Sequence, residues 1–168
     1  MAKCARAHTH THTQILGYKE GVANRESSHE AGNAGEGGRE SKQVLVLIVE
    51  DHWANRRLLE AMLKKQGPGY TMEAVENGQE AVNITSTRQY DIILMDCNMP
   101  IMDGWQATEA IRQSDGPNKL TPIIAVTANA MKGDREKCIQ AGMDDYISKP
   151  VERKRLEEVL SKWLASGK

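Results

Sequence analysis

The chain has 168 residues, 39% of them apolar and 27% charged, with 22 basic and 23 acidic side chains and a formal net charge of −1. That length suits one domain with a tail rather than two full domains, and the even charge balance argues against a general pull toward nucleic acid or a lipid surface. The longest uninterrupted apolar run, Val44 to Val49, is far short of the ~20 residues that a membrane span needs. No apolar signal-like stretch opens the chain. Cys4, Cys97 and Cys138 form no CxxC pair, which speaks against a disulfide framework or a zinc knuckle. A protein of a reducing compartment is expected.

Residues 1–43 hold four of the five histidines, six of the fourteen glycines and no proline. Asn24 to Glu40 contains no large apolar residue, so it cannot bury enough surface to offset its ordering entropy and reads as linker. His8, His10 and His12 would share one face of a strand and could hold a metal weakly; a solvated tail or a cloning remnant is the preferred reading.

From Val44 onward short apolar runs alternate with helical patterns. VLVLIV (44–49) suits a strand buried on both faces. Leu58, Leu59, Met62 and Leu63 fall at helical spacing, and that helix should stop at Gly67-Pro68-Gly69. Tyr70 to Val75 reads as a second strand, and Asn77-Gly78 turns into a helix carrying Ala81, Val82 and Ile84. A third strand is DIILM (91–95), followed by a helix from Gly104 to Arg112 and a loop at Ser114 to Asn118. Ile123 to Val126 is a fourth strand, Asp134 to Ala141 a helix ended by Gly142, and Asp145 to Ile147 a short fifth strand. Val151, Leu156, Val159, Leu160, Trp163 and Leu164 form the apolar stripe of a last helix.

Five β units alternating with five α units imply an α/β fold: a parallel, doubly wound sheet covered by helices on both sides. Sites in such folds collect outside the carboxyl ends of the strands. Glu50 and Asp51 end the first strand, Asp96 the third and Thr127 the fourth, and the fifth leads to Lys149-Pro150. These groups should therefore meet at one rim. Three carboxylates in one crevice repel one another. A hard divalent cation such as Mg²⁺, or Mn²⁺ in its place, removes that conflict and accepts a phosphate oxygen as well. A lysine and a hydroxyl opposite would hold the remaining phosphoryl oxygens. The inventory describes metal-assisted phosphoryl transfer to a carboxylate nucleophile, against a surface salt-bridge cluster as the bland alternative.

VLIVED (46–51), ILMDCNMPIMDG (93–104), AVTANA (125–130) and DDYISKP (144–150), in that order, resemble the receiver domain of two-component response regulators. The likeness runs from Val44 to about Ala165, and the domain is expected over 44–166. It implies a flavodoxin-like (βα)5 fold with strand order 2-1-3-4-5. It further implies that Asp96 is the phosphoacceptor and that Asp51 binds Mg²⁺ directly, with Glu50 near the metal through water. The Asn98 carbonyl would supply another metal oxygen, and Lys149 would pair with the phosphoryl group. Thr127 would be the switch hydroxyl, Tyr146 its coupled aromatic, and Lys149-Pro150 a cis peptide. A phosphohistidine on a histidine kinase or histidine phosphotransfer domain would be the donor. Phosphorylation would bias the surface formed by the fourth helix, fifth strand and fifth helix.

The wording of these segments, with Asn55-Arg56-Arg57, is most similar to receivers of hybrid sensor histidine kinases. A free-standing regulator would read the same. Such a domain catalyses its own phosphorylation and dephosphorylation, and no kinase catalytic segment is present in the sequence. A cytoplasmic setting is expected, with the parent chain free to be membrane-anchored. Direct nucleic-acid action and membrane contact by this segment are not expected; a weak homodimer is compatible.

Asn98 and Asn129 are candidates for setting the dephosphorylation rate. His52 reads as a solvent-facing loop residue, Trp53 and Trp105 as rim-loop residues, and Cys97 and Cys138 as buried small hydrophobes. A haloacid-dehalogenase-type phosphohydrolase would need a second acid where Asn98 stands. A pseudo-receiver would have lost an acid, the threonine or the lysine. An FMN binder would have its phosphate repelled by Glu50-Asp51.

Overall fold

The computed structural model describes residues 43–128 and 132–165, with the backbone only for 132–134. Residues 1–42, with the histidine alternation and Cys4, and also Asn129 lie outside the described residues. Five strands and five helices alternate along the chain. They are β1 (Val44–Val49), α1 (Trp53–Lys64), β2 (Tyr70–Val75), α2 (Gly78–Thr85), β3 (Ile92–Asp96), α3 (Gly104–Gln113), β4 (Ile123–Thr127), α4 (Lys132–Gln140), β5 (Asp145–Ser148) and α5 (Arg153–Ala165). The strands form one sheet in the order β2-β1-β3-β4-β5, and every neighbouring pair is parallel. This is the doubly wound, flavodoxin-like arrangement read from the sequence.

The apolar runs are continuous because alternate residues feed different cores. Leu47, Val49, Ile93, Met95, Ile123 and Ala125 pack on one face with side chains of α2 and α3. Val46, Ile48, Ile92, Leu94, Ile124 and Val126 pack on the other with Leu59 and Leu63 of α1 and Leu156, Val159 and Leu160 of α5. β2, at the edge, has no fully buried residue. Both faces of β1, β3 and β4 are thus fixed, so a register slip of one residue would exchange two complete cores.

Caps set several helix starts. The Asn77 side chain accepts a hydrogen bond from the Glu80 N–H (3.0 Å), and Asp103 and Gln106 form a reciprocal capping box at α3. α1 ends at Lys64, before the expected Gly67, which carries the positive φ of the turn (129°). β3 runs one residue later than expected. The Asp91 carboxylate accepts from the Leu45 N–H (2.8 Å) at the strand's entrance, and Asp96 continues the ladder opposite Val126. Val151 precedes α5 but still packs on its core. Arg112 of α3 ties the lower ends of β4 and β5 together, donating to the carbonyls of Thr121 (2.8 Å) and Gly142 (2.9 Å) and to Asp144 (2.7 Å). No helix among the described residues is long and apolar enough to cross a membrane.

Candidate functional site

The carboxyl ends of β1 and β3 carry Glu50, Asp51 and Asp96. Carboxylate oxygens of all three lie within 4.8 Å of one another. Glu50 and Asp96 are buried, at 1% and 3% exposure, while Asp51 faces solvent. Glu50 is held from α1: Asn55 Nδ2 donates to its Oε1 (2.8 Å), and Arg56 donates to its backbone carbonyl (2.9 Å). Neither role was read from the sequence, although Asn55 and Arg56 lie in the first turn of the helix that follows the acidic pair.

Lys149 faces both buried acids, with Nζ 2.7 Å from Asp96 Oδ2 and 2.8 Å from Glu50 Oε2. Its N–H donates to the Thr127 carbonyl (2.7 Å), which fixes the lysine to the end of β4. The Lys149–Pro150 peptide is cis, as expected. The second Asp96 oxygen, Oδ1, accepts from the Asn98 N–H (3.1 Å).

Charge is not balanced here. Burial pushes the Asp96 pKa up, the hydrogen bonds from Lys149 and Asn98 pull it down, the Glu50 charge adds to the rise, and the net is above the usual carboxylate range. Burial works against the Lys149 ammonium, but its hydrogen bonds to Asp96 and Glu50 and the charges of both outweigh it, so its pKa is raised. One cation is shared among several acids, which explains why the lysine stays charged while Asp96 is under strain. Glu50 Oε2 is buried with the Lys149 ammonium 2.8 Å away. Converging oxygens and excess negative charge fit a hard divalent cation.

Thr127 is buried at the end of β4, and Tyr146 of β5 is partly buried against the core on the same face. The rim also exposes Trp53, Leu58 and Ile101 at 68%, 44% and 81%. His52 is exposed, as expected, and its ring stacks beside Trp53 at 6.5 Å. The tryptophans are not loop residues: Trp53 opens α1, and Trp105, in the first turn of α3, packs on the core. Cys97 and Cys138 are both buried, as expected.

Residues 46–161 match the family model for the response regulator receiver domain. The chain belongs to that family. The receiver is similar to the sensor histidine kinase GacS of Pseudomonas protegens, at 42% identity over 125 residues. That match covers 73% of this chain and 13% of GacS, so the chain spans a small part of that relative. It is also similar to the crystal structure of the receiver domain of sensor histidine kinase PA1611 from Pseudomonas aeruginosa PAO1, which has a magnesium ion coordinated in the active site cleft. Identity is 44%, the TM-score 0.67, and coverage 73% of this chain and 98% of that one. A third likeness is to the co-crystal structure of the Saccharomyces cerevisiae histidine phosphotransfer protein Ypd1 with the receiver domain of its downstream response regulator Ssk1. There identity is 31%, the TM-score 0.66, and coverage 74% of this chain and 90% of that one. The similarity to hybrid-kinase receivers read from the motif wording agrees with these relatives.

Proposed function

We propose that Asp96 accepts a phosphoryl group from a phosphohistidine in a Mg²⁺-dependent phosphorelay, and that 44–166 is the receiver domain with 1–43 as its tail or linker. The observation that carries this reading is the buried Asp96 carboxylate with the Lys149 ammonium at 2.7 Å and two further acids beside it. Glu50, Asp51, Asp96 and the Asn98 carbonyl would hold the cation. When bound, it neutralises charge on the phosphoryl oxygens during transfer.

Asp96 attacks phosphorus in line. The new bond joins an Asp96 carboxylate oxygen to phosphorus, and the bond to the donor imidazole nitrogen breaks. Lys149, held by its N–H on Thr127, keeps its ammonium toward the equatorial oxygens, so catalysis rests on positioning and electrostatics. The Thr127 hydroxyl then turns to the phosphoryl group, and Tyr146 follows it, shifting the surface of α4, β5 and α5. Hydrolysis by water restores the carboxylate. Asn98, and Asn129 outside the described residues, are positioned in sequence to set that rate.

A histidine kinase domain and a histidine phosphotransfer domain are the partners that fit, supported by the likeness to the receiver crystallised with Ypd1. The exposed apolar side chains at the rim suit such docking. This reading sets the domain in the cytoplasm.

Intact-mass spectrometry after incubation with acetyl phosphate tests the proposal. A single labile phosphoryl adduct that disappears with chelator and in Asp96→Asn is expected. An adduct that persists in Asp96→Asn, or none in folded wild type with Mg²⁺, would overturn it.

A further inference from the structure

The buried Glu50 carboxylate has two side-chain partners among the described residues, one on each oxygen. Asn55 Nδ2 donates to Oε1 (2.8 Å), and the Lys149 ammonium lies 2.8 Å from Oε2. The backbone is fixed separately: the Glu50 N–H donates to the Val75 carbonyl (3.1 Å), and Arg56 donates to the Glu50 carbonyl (2.9 Å). Packing does less for the carboxylate, because Glu50, Asn55 and Lys149 line a cavity together with Leu58, Leu59 and Val151. The last torsion of a glutamate is broad, so the aim of its carboxylate rests on those two contacts.

The two contacts differ in permanence. Lys149 is shared, since its Nζ also lies 2.7 Å from Asp96 Oδ2, and in the proposed transfer it serves the phosphoryl oxygens. Asn55 donates to Glu50 alone among the described residues. Its place in α1 fits this use. His52 caps the helix without a side-chain hydrogen bond, the first turn holds no acid, and Asn55 is the third residue of the helix. A Glu or Gln at that position would reach back to the capping residue's N–H. Asparagine, a weaker helix former, reaches instead to the carboxylate at the end of β1. The first turn of α1 thus serves the site rather than its own cap.

We propose that Asn55 is a positioning residue for the cation: by holding Oε1 it keeps the Glu50 carboxylate aimed at the cluster of Asp51 and Asp96, whether or not Lys149 is engaged with it. A carboxylate that turned away would keep its charge but add less to the attraction for Mg²⁺. The role therefore shows in cation affinity, where the partners that orient metal-binding side chains are worth about tenfold or more.

The inference rests on the receiver reading, and the test separates the two. Mg²⁺ binding is measured by titration calorimetry in wild type, Asn55→Ala, Glu50→Gln and the double variant, with urea melts to establish that each is folded. Intact mass after acetyl phosphate and Mg²⁺ is recorded on wild type. Asn55→Ala should raise the Mg²⁺ dissociation constant about tenfold. In the Glu50→Gln background the same change should cost less than about twofold, because a neutral amide has no charge to aim, and that non-additivity is what a merely structural role would not produce. If Asn55→Ala does not fold, Asn55→Ser, which keeps a polar group in the first turn but is too short to reach Oε1, takes its place in the cycle. A wild-type adduct together with unaltered Mg²⁺ affinity in the folded Asn55 variant, or with an equal loss in both backgrounds, overturns the positioning role and leaves the receiver reading standing. No adduct in folded wild type overturns both.

Discussion

Replacing Lys149 with methionine removes the one ammonium that faces Glu50 and Asp96. At separations of 2.7 and 2.8 Å, an effective dielectric of ~20 gives about 6 kcal/mol of gross attraction for each pair. Releasing the lysine from its own desolvation offsets much of that. What remains is the cost of two buried carboxylates without a cation, in the range of about 3–5 kcal/mol for a broken buried pair. The Lys149 side chain keeps 21% of its exposure, so water can reach the gap and the lower end, about 3 kcal/mol, is expected. The loss must depend on pH. Asp96 already titrates above the usual range, and losing the ammonium raises its folded-state pKa further. The folded variant then binds protons more readily than the unfolded chain, so its deficit shrinks as pH falls toward the carboxylate range. Added Mg²⁺ should narrow the deficit at neutral pH, because it binds the folded state alone. Urea unfolding of wild type and Lys149→Met at about pH 8 and about pH 5.5, with and without Mg²⁺, measures all three effects. A deficit under about 1 kcal/mol, or one unchanged by both pH and Mg²⁺, would refute the charge argument.

Three further outcomes follow from particular contacts. Gly104→Ala places a Cβ 2.1 Å from the Asp96 carbonyl oxygen; it should cost about 2–3 kcal/mol in a urea melt rather than gain helix propensity, and slow Asp96 phosphorylation more than tenfold. Asp145 sits among Lys162 (2.7 Å), Arg155 (3.1 Å) and the Trp163 indole N–H (3.2 Å). Burial alone would raise its pKa, but the Lys162, Tyr146 N–H and Trp163 hydrogen bonds hold it below the usual range. Its contribution is therefore present above the unfolded carboxylate value and lost as pH falls through the folded one, so Asp145→Asn should cost about 1 kcal/mol at neutral pH and nothing in strong acid. Ile101 holds a φ of 71° while 81% exposed; Ile101→Asn, which tolerates that conformation, should raise stability by about 0.5–1 kcal/mol in thermal unfolding.

The strands were legible because β1, β3 and β4 are buried on both faces, which leaves an unbroken run of Val, Ile and Leu. The rim was legible for the same reason: once those runs are strands, the polar residue that ends each one has its place. Helix α4 shifted toward its N-terminus relative to expectation because its polar sequence has no apolar stripe to mark its bounds. Contacts made by loop geometry were not legible. Asn55 on Glu50, the approach of Gly104 to Asp96 and the meeting of Cys97 with Cys138 bring together residues with no shared period. Trp105 was misread as a rim-loop residue although the helix was already expected from Gly104; its place in the first turn, behind the Asp103–Gln106 capping box, packs it on the core.

The central claim is that Asp96 itself carries the phosphoryl group. Borohydride trapping after brief exposure to a phosphodonor with Mg²⁺, followed by peptide mapping, tests it most directly, since an acyl phosphate is reduced and a free carboxylate is not. The account predicts conversion of residue 96 to homoserine, dependent on donor and Mg²⁺, with Glu50 and Asp51 untouched. Trapping at Glu50 or Asp51, or at none of the three in folded protein that has gained the phosphoryl mass, would contradict it.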